Sequence, residues 1–471
     1  MENIKPYNKY KSSGIAWLGD IPEHWSHSKL KYLTYKIVDG AHFTPTYVEH
    51  GIPFLRVTDI QTKKINLSKI KYIPLEEHNE LIKRCNPKKG DVLLSKNGTI
   101  GITKIIDWDF DFSIFVSLCL IKLRPILNPY FFSTLFSSKA VEVQIKESGQ
   151  TTSVTNLHLE KIRELICILP PIKEQIAIAD FLDYKLSKID RFISKKKQII
   201  KLLNEQKAGI INHAVTKGLD PNATMKDSGI EWLGDIPKHW EVRKLKYVAK
   251  TVLGKMLCNE DKGNYFKKPY LKSKNIQWLN VDISDVEEMW FSDKELIQYR
   301  LKKNDLVLSE GGEVGKTCLW NEELKECYIQ NSAHKVTLNN ENLAEFYLYL
   351  FFLYGKKGAF DAITNKVSIG HLTKDKLINL KCLCPSLSEQ TAIVSHIEKE
   401  TTIINKTIIT IEKEIALTQE YRTALIAEAV TGKIDVRAFV IPAVSVQEEL
   451  YEEIEEELDM VAEDAESYEN E

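Results

Sequence analysis

Two long stretches with the same heptad pattern, 215 positions apart, constrain the fold of this chain more than any other feature. The first runs from Pro171 to Thr216, and after Pro171 it contains neither glycine nor proline until Gly209. A continuous helix of this length spans roughly 65–70 Å at about 1.5 Å per residue, so we interpret it as a strut. Its apolar residues recur at steps of four and three, which predicts a coiled-coil seam on one face. These residues are Leu182, Leu186, Ile189, Ile193, Ile200, Leu203 and Ile210.

The second stretch repeats this seam. Lys196 and Lys207 interrupt the first copy, and their counterparts in the second copy are Ile411 and Arg422. Apolar residues occupy the seam of the second copy at Ile397, Ile404, Ile408, Ile411, Ile415 and Leu425. Repeats at a fixed offset indicate that a chain is built from duplicated units.

The same offset relates segments outside the struts. The tryptophan motif, Ser13–Trp25, maps onto Ser228–Trp240, and Lys29-Leu30-Lys31-Tyr32 maps onto Lys244-Leu245-Lys246-Tyr247. We therefore predict two tandem halves, each a globular block followed by a long helix. The predicted boundaries are a flexible N-terminus at 1–12, a first block at 13–169, a first helix at 170–216, a linker at 217–227, a second block at 228–384, a second helix at 385–431, an extension at 432–446 and an acidic tail at 447–471.

Each block has the pattern of a mixed α and β fold. Glycine-containing turns between apolar alternations, at 95–101 and 309–315, indicate hairpins. Segments rich in Phe, Tyr and Leu at 128–138 and 342–354 indicate helices. The linker of 11 residues reaches at most about 40 Å, which is shorter than the strut. The second strut must therefore run back along the first, and we expect an α+β chain with an antiparallel coiled coil and a pseudo-two-fold repeat.

The formal net charge of −2 conceals a basic body. Residues 447–471 contain 13 acidic side chains and no Lys or Arg. Without them, 64 basic side chains stand against 53 acidic ones, a net charge of +11. Such a surplus favours polyanionic partners.

Several function classes lack their motifs. The eight cysteines form no paired CxxC set, which argues against a zinc site and for a reduced, cytoplasmic setting. No apolar run is long enough to span a bilayer. Ser309–Thr317 resembles a phosphate-binding loop but has Glu310 at the first glycine position. Leu169–Ile172 resembles the catalytic tetrapeptide of amino-methyltransferases but lacks the polar residue that holds the amine. We expect no catalysis, no metal and no cofactor bound by this chain.

The tryptophan motif has two interpretations. One is an anchor, in which Trp17, Leu18, Ile21 and Trp25 bury apolar area. The other is DNA contact through His24 and Trp25. We favour the anchor, because both halves share the motif whereas DNA specificity would demand a difference.

Polar side chains on predicted loops are candidates for DNA contact. Lys and Arg bind phosphates, whereas Asn, Arg and Thr also recognise base edges. The first block offers His42, Thr44, Arg56, Lys63, Lys64, Lys96, Asn97 and Thr151. The second offers Asn264, Tyr265, Lys267, Lys272, Lys274, Asn275 and Lys366. Individually, many of these could be ordinary solvated loop residues, but as sets they indicate DNA binding.

The chain resembles the specificity subunits of type I restriction–modification enzymes. The resemblance rests on the repeated tryptophan motif, on the Pro-x-x-x-Glu-Gln helix openings at 170–175 and 385–390, and on the segments 39–45 and 95–101. It implies two target recognition domains that read a bipartite, asymmetric sequence in double-stranded DNA, with the coiled coil as a ruler. It also implies two methyltransferase subunits for adenine-N6 methylation and added motor–nuclease subunits for restriction. S-adenosylmethionine, ATP and Mg would then be bound by those partners.

Two other function classes stay open at this point. A fused catalytic methyltransferase–specificity protein would methylate DNA by itself. A coiled-coil scaffold without DNA binding would explain the struts but not two divergent basic blocks.

Overall fold

A computed structural model of the chain describes residues 5–62, 65–147, 157–363 and 371–442. The chain divides into two compact units. The first combines the described residues up to Lys195 with those from Glu414 onward, and the second spans Lys196–Lys413. Each unit therefore contains one globular block together with parts of both long helices. Within the described residues, no helix is both long and apolar enough to cross a membrane.

The first unit holds a mixed α/β block. Its strands are β1 (Tyr10–Ser12), β2 (Asp20–Pro22), β3 (Ser26–Lys29), β4 (Thr34–Asp39), β5 (Ile52–Leu55), β6 (Lys71–Ile73), β7 (Val92–Ser95), β8 (Thr103–Ile105), β9 (Ser113–Ile114), β10 (Leu118–Leu123) and β11 (Ile166–Leu169). Its helices are α1 (Leu75–Arg84), α2 (Pro129–Phe136), α3 (Lys139–Glu147) and α4 (Leu159–Glu164), followed by the first long helix, α5 (Ile172–Lys217). Short 3₁₀ turns span Leu30–Tyr32 and Val57–Ile60.

The second unit repeats this order of elements and adds one short hairpin, formed by its strands at 276–277 and 280–281. Its strands are β12 (Met225–Asp227), β13 (Asp235–Pro237), β14 (Glu241–Lys244), β15 (Ala249–Leu253), β16 (Phe266–Leu271), β17 (Ile276–Gln277), β18 (Asn280–Val281), β19 (Glu287–Phe291), β20 (Asp305–Ser309), β21 (Thr317–Trp320), β22 (Tyr328–Ile329), β23 (Ala333–Leu338) and β24 (Lys381–Cys384). Its helices are α6 (Asp293–Tyr299), α7 (Ala344–Lys356), α8 (Ala359–Ile363) and α9 (Lys374–Ile378), before the second long helix, α10 (Leu387–Val430). Its 3₁₀ turns are Leu245–Tyr247 and Ser273–Asn275.

The same sheet topology occurs in both units. The main antiparallel sheet has the order β4-β10-β7-β8 in the first unit and β15-β23-β20-β21 in the second. A smaller sheet, β6-β5-β9 or β19-β16-β22, combines one antiparallel and one parallel pair. The predicted hairpins are confirmed as β7–β8 and β20–β21. Because the two blocks share this framework, their differences lie in the side chains that the framework presents.

The tryptophan motif is the anchor that the sequence predicts. Trp25 and Trp240 are fully buried, and each indole N–H donates to the glutamate that opens its own long helix. Trp25 Nε1 lies 2.9 Å from Glu174 Oε2, and Trp240 Nε1 lies 3.2 Å from Glu389 Oε1. Because both indoles are buried and their N–H groups are hydrogen-bonded within the chain, neither tryptophan is available to DNA.

The glutamine next to this glutamate has a second structural role. In the first unit, Gln175 Oε1 accepts from the backbone N–H of Asn128, and its amide donates to Ile126 O and Pro170 O. Gln390 accepts from the N–H of Leu343 in the same way. The Glu-Gln pair therefore fixes the first turn of each long helix to its block, because buried polar groups are stabilised by such saturation.

Both predicted long helices are present, with 46 residues in the first and 44 in the second. All of the predicted seam residues are buried or partly buried. In the first unit, Leu182 shares a core with Leu425 and Ala429. In the second unit, Ile211 and Ala214 share a core with Ile397. The buried face is wider than the seam near the blocks, where Ile178, Phe181, Ile393 and Val394 are also buried.

Candidate nucleic-acid interface

A buried carboxylate organises a cationic cluster at the end of β4. Asp39 is only 4% exposed, and its side chain accepts a hydrogen bond from Arg84 Nη2. Its Oδ2 lies 3.0 Å from His42 Nε2 and 3.4 Å from Lys96 Nζ. Burial by itself would raise the pKa of Asp39, but hydrogen bonding from His42 and the charges of His42, Lys96 and Arg84 lower it. Asp39 is therefore a charged anchor for two exposed side chains, Arg84 and His42.

The backbone geometry next to Asp39 requires glycine. A Cβ on Gly40 would lie 2.0 Å from the carbonyl oxygen of Ile114. The corresponding Gly254 approaches Gln330 O in the second unit, where a Cβ would lie 2.3 Å away. This close approach starts the loop that carries His42 and Thr44, both of which are exposed. The same loop root therefore displays different side chains in the two blocks.

Two polar atoms near this cluster are buried without a hydrogen-bond partner. They are Asn97 Oδ1 and Ser117 Oγ. The backbone N–H of Lys96, the residue before Asn97, donates to Ser117 O at 2.9 Å. At the corresponding place in the second unit, Ser332 Oγ donates to Gln330 Oε1 at 2.5 Å. The first block thus has polar atoms next to Lys96 without a hydrogen-bond partner, whereas the serine at the corresponding place in the second block has a partner within the chain.

The remaining candidates of the first block are dispersed. Arg56 forms a bidentate pair with Asp59, at 3.2 Å and 3.3 Å, and it is half-buried. Lys96 is 5% exposed, which corrects the expectation that it lies free on a loop. Its ammonium is buried within the cluster, next to Asp39. Lys63, Lys64 and Thr151 lie outside the described residues.

Sequence reasoning missed Arg84 and Asp39. Arg84 ends α1 and Asp39 ends β4, and they are 45 positions apart, so no local pattern joins them. A signal did exist in the repeat. At an offset of 214, Asp39 aligns with Leu253 and Lys96 aligns with Glu310. Both members of the Asp39–Lys96 ion pair are therefore replaced in the second block.

The lysines predicted in the second block are paired with acids. Lys272 Nζ lies 2.5 Å from Glu287 Oε1, and Lys274 Nζ lies 2.5 Å from Asp285 Oδ2 and 3.2 Å from the same Glu287 oxygen. Hydrogen bonds from Lys272, Tyr270 and Lys274 lower the pKa of Glu287 to about 2. Lys267 Nζ lies 3.8 Å from Glu288. A phosphate would have to displace these carboxylates to bind the lysines.

Asn275 is not the exposed donor that the sequence suggested. It is 2% exposed, and its amide nitrogen donates to Asp282 O and Asp285 O. Its side-chain oxygen accepts from Lys272 N. Asn264 is exposed with a φ of 60°, in the left-handed region that asparagine tolerates. Lys366 lies outside the described residues.

A second aromatic and cationic cluster follows Gly254. Lys255 forms an ion pair with Glu295, and its ammonium lies 5.0 Å from the centre of the Tyr265 ring and 5.5 Å from that of Phe291. Lys255 is 7% exposed, whereas Tyr265 is partly exposed. This cluster occupies the same loop root as the Asp39 cluster, with different chemistry.

The phosphate-loop resemblance does not become a nucleotide site. Residues 310–316 form the loop of the β20–β21 hairpin. A Cβ on Gly315 would lie 2.3 Å from the ring of Phe360, so an aromatic side chain backs the loop. Lys316 Nζ is engaged by Glu313 at 2.8 Å and Gln277 at 3.2 Å. Among the described residues, no group of three or more His, Cys, Asp and Glu could hold a metal ion.

Comparisons with known proteins agree with a DNA-recognition role. A family model described as the type I restriction modification DNA specificity domain matches residues 41–205 and 237–415. The putative type I restriction enzyme MjaX specificity subunit of Methanocaldococcus jannaschii is 26% identical over 89% of this chain and 96% of that protein. The type I restriction enzyme EcoKI specificity subunit of Escherichia coli is 21% identical, over 88% of this chain and 90% of that protein.

A solved structure has the same fold. It comes from work on the complex assembly and conformational transition of the type I R-M system. The TM-score is 0.61 at 16% sequence identity, and the match covers 88% of this chain and 99% of that one. The similarity in fold therefore extends over both units.

Proposed function

Because this chain belongs to the type I restriction modification DNA specificity family, we propose that it reads a bipartite, asymmetric DNA target and positions partner enzymes on it. The observation that carries this proposal is that the two blocks share one framework but differ in the side chains at the start of the loop that follows β4 or β15. Gly40 and Gly254 occupy equivalent positions, yet one adjoins Asp39 and Arg84 and the other adjoins Lys255 and Tyr265. Unlike donors select unlike bases in the major groove.

In the first block, residues 13–169, the exposed Arg84 guanidinium is the proposed base-reading group. Arg recognises guanine O6 and N7 in a bidentate manner, which contributes about 1–3 kcal/mol of discrimination. Asp39 acts as a positioning residue, because it holds Arg84 and His42 at the loop root without being exposed itself. In the second block, residues 228–384, Tyr265 and Asn264 take the corresponding place.

The two long helices are proposed to form an antiparallel coiled coil with pseudo-two-fold symmetry, acting as a ruler between the half-sites. Contacts within each unit support opposite helix directions. In the second unit, Lys207 contacts Asn405, whereas the later residues Ile211 and Ala214 share a core with the earlier residue Ile397.

Catalysis is proposed to belong to the partners. Two methyltransferase subunits would carry S-adenosylmethionine and methylate adenine N6, and motor–nuclease subunits would use ATP and Mg for restriction. The chain itself would serve as a non-catalytic recognition subunit. Incubation of the purified chain with DNA and labelled S-adenosylmethionine should then transfer no methyl group until the methyltransferase subunit is added.

The base-reading role is tested with Arg84→Ala and Asp39→Asn in the complex with the methyltransferase subunit. Genome-wide mapping of methylated adenine should show relaxed specificity at one position of one half-site, with a discrimination loss of about 10–100-fold. Arg56→Ala is the matched control, because Arg56 is an arginine of the same block that pairs with Asp59 and not with Asp39. Unchanged methylation patterns for both Arg84 and Asp39 variants would reject this assignment.

A further inference from the structure

A short basic and aromatic surface is repeated in both units. It consists of Lys29, Lys31 and Tyr32 in the first unit and of Lys244, Lys246 and Tyr247 in the second, and we call it the Lys-Tyr surface. Both tyrosines are 64% exposed. In each copy the preceding lysine ammonium lies 5.2 Å from the centre of the tyrosine ring. The position of the lysine over the tyrosine ring is therefore duplicated together with the sequence. The partners of the lysines differ, because Glu164 pairs with Lys29 and Lys31 at 2.7 Å and 2.6 Å in the first unit, whereas its counterpart in the second unit is the neutral Asn379.

Folding explains the leucine of this segment but not the exposed tyrosine. Leu30 and Leu245 are fully buried, and their N–H groups donate to Leu165 O and Leu380 O at 2.8 Å. Exposed substitutions usually change stability by less than about 0.5 kcal/mol, so folding alone does not maintain an exposed tyrosine. Adjacent exposed positions have indeed diverged, since Tyr35 aligns with Lys250 at the offset of 215.

An apolar cavity adjoins this surface in the second unit. Its volume is about 380 Å³, and its lining includes Ile230, Trp232, Ala362, Asn379 and Lys381. Lys244 Nζ of the Lys-Tyr surface donates to Asn379 Oδ1 on the cavity rim at 3.2 Å. Ile230 and Trp232 belong to the repeated tryptophan motif, whose counterparts are Ile15 and Trp17. An apolar pocket with lysines at its rim fits a partner that presents an apolar side chain surrounded by acidic residues.

The Lys-Tyr surface lies away from the proposed base-reading cluster. Tyr32 precedes β4, whereas Asp39 ends it, and a six-residue strand is about 20 Å long. The second unit has the same arrangement, with Tyr247 before β15 and Lys255 after it. The two ends of one strand therefore present a divergent surface and a duplicated one.

A surface that is duplicated while the base-reading loops diverge fits a partner that is itself present in two identical copies. We infer that each Lys-Tyr surface, with the adjoining face of the tryptophan motif, docks one methyltransferase subunit through contacts centred on the exposed tyrosine. This inference rests on the proposed function, which supplies two identical partners. Tyrosine is enriched among residues that dominate binding energy at protein interfaces.

The test measures partner stoichiometry and affinity for the full-length chain. Tyr32→Ala should weaken binding of one of the two methyltransferase copies by about 30-fold, and Tyr247→Ala should weaken the other, as expected for a dominant interface tyrosine. The double variant should weaken both. Ala362→Phe fills the cavity rim and should weaken one copy, without touching either tyrosine. Native mass spectrometry counts the copies, and titration gives the affinities.

Tyr35→Ala is the matched control, because Tyr35 is 67% exposed but has no tyrosine counterpart in the second unit. It should retain both copies at wild-type affinity. If the tyrosine variants bind two copies within threefold of the wild type, the inference is wrong. It is equally wrong if they lose only DNA affinity, measured with the chain alone. A wild-type chain that binds no methyltransferase subunit would instead contradict the proposed function.

Discussion

Lys207 on the first long helix donates a hydrogen bond to Asn405 on the second, with 2.9 Å between Nζ and Oδ1. At the repeat offset of 215, Lys207 corresponds to Arg422 and Asn405 corresponds to Asp190. Arg422 and Asp190 form an ion pair at 3.1 Å within the first unit. One contact geometry is therefore used twice, with a charged acceptor in one unit and a neutral one in the other. Burial lowers the pKa of Lys207, because desolvation disfavours its charged form.

The equivalence of these pairs predicts self-association of the first half. In a dimer of the fragment Met1–Met225, Asp190 of one copy takes the place of Asn405 opposite Lys207 of the other. The lysine that interrupts the seam then gains an opposite charge, and the seam of Leu and Ile supplies apolar burial. We expect a two-fold dimer in sedimentation experiments. With the methyltransferase subunit it should methylate an inverted repeat of the first half-site.

Charge reversal tests this pairing directly. Asp190→Lys in the fragment places two lysines opposite each other and should weaken the dimer, whereas Asp190→Lys combined with Lys207→Asp should restore it. A wild-type fragment that stays monomeric at high concentration would contradict the two-fold geometry.

Grafting tests whether the two blocks act independently. Replacement of residues 32–156 by those of a homologue should change one half-site of the methylated sequence and leave the other unchanged, because each block has its own cores and sheets. Methylome mapping provides the readout. A graft that altered both half-sites would show that the blocks are coupled.

The length of the long helices should set the unread gap in the DNA target. The Lys207–Asn405 contact places a break after Leu203 opposite a break after Ile408. One heptad inserted at each break adds about 10 Å of helix, which corresponds to about three base pairs of rise. The methylated sequence should gain a longer gap and keep its half-sites. Insertion after Leu203 alone serves as the control, because it mismatches the seam and should lower the thermal midpoint.

The glutamates that open the long helices should differ in their contributions to stability. Glu174 accepts hydrogen bonds from Trp25 Nε1 and Tyr7 OH, lies 2.7 Å from His24 Nε2, and has a side chain that is 11% exposed. Glu174→Ala leaves buried donors unpaired and should cost roughly 2–4 kcal/mol. Glu389→Ala should cost about 1 kcal/mol, since the Glu389 side chain is 36% exposed. Denaturant unfolding of both variants gives the comparison, and equal losses would reject the role of burial.

Much of the architecture was accessible from the sequence, because it is recorded in local patterns. Steps of four and three place Leu182 and Ile193 on one helix face whatever surrounds the helix, and glycine-containing turns specify the β7–β8 and β20–β21 hairpins. Duplication strengthens each of these signals. The burial of Trp25 and Trp240 was also predictable, because both halves contain the same motif and a shared motif indicates a structural anchor.

The candidate interface depended on tertiary structure. Lys272 and Lys274 look like phosphate ligands until the pairing of β16 with β19 brings Glu287 to the side chains around Tyr270. Lys96 is predicted to be exposed, but the fold buries it next to Asp39, which lies 57 positions earlier in the sequence. Sequence alone determined the repeat, the long helices and the hairpins, because periodicity and turn chemistry act over a few residues. Only the tertiary structure decided which charges are exposed, because an ion pair depends on which distant strands the fold makes neighbours.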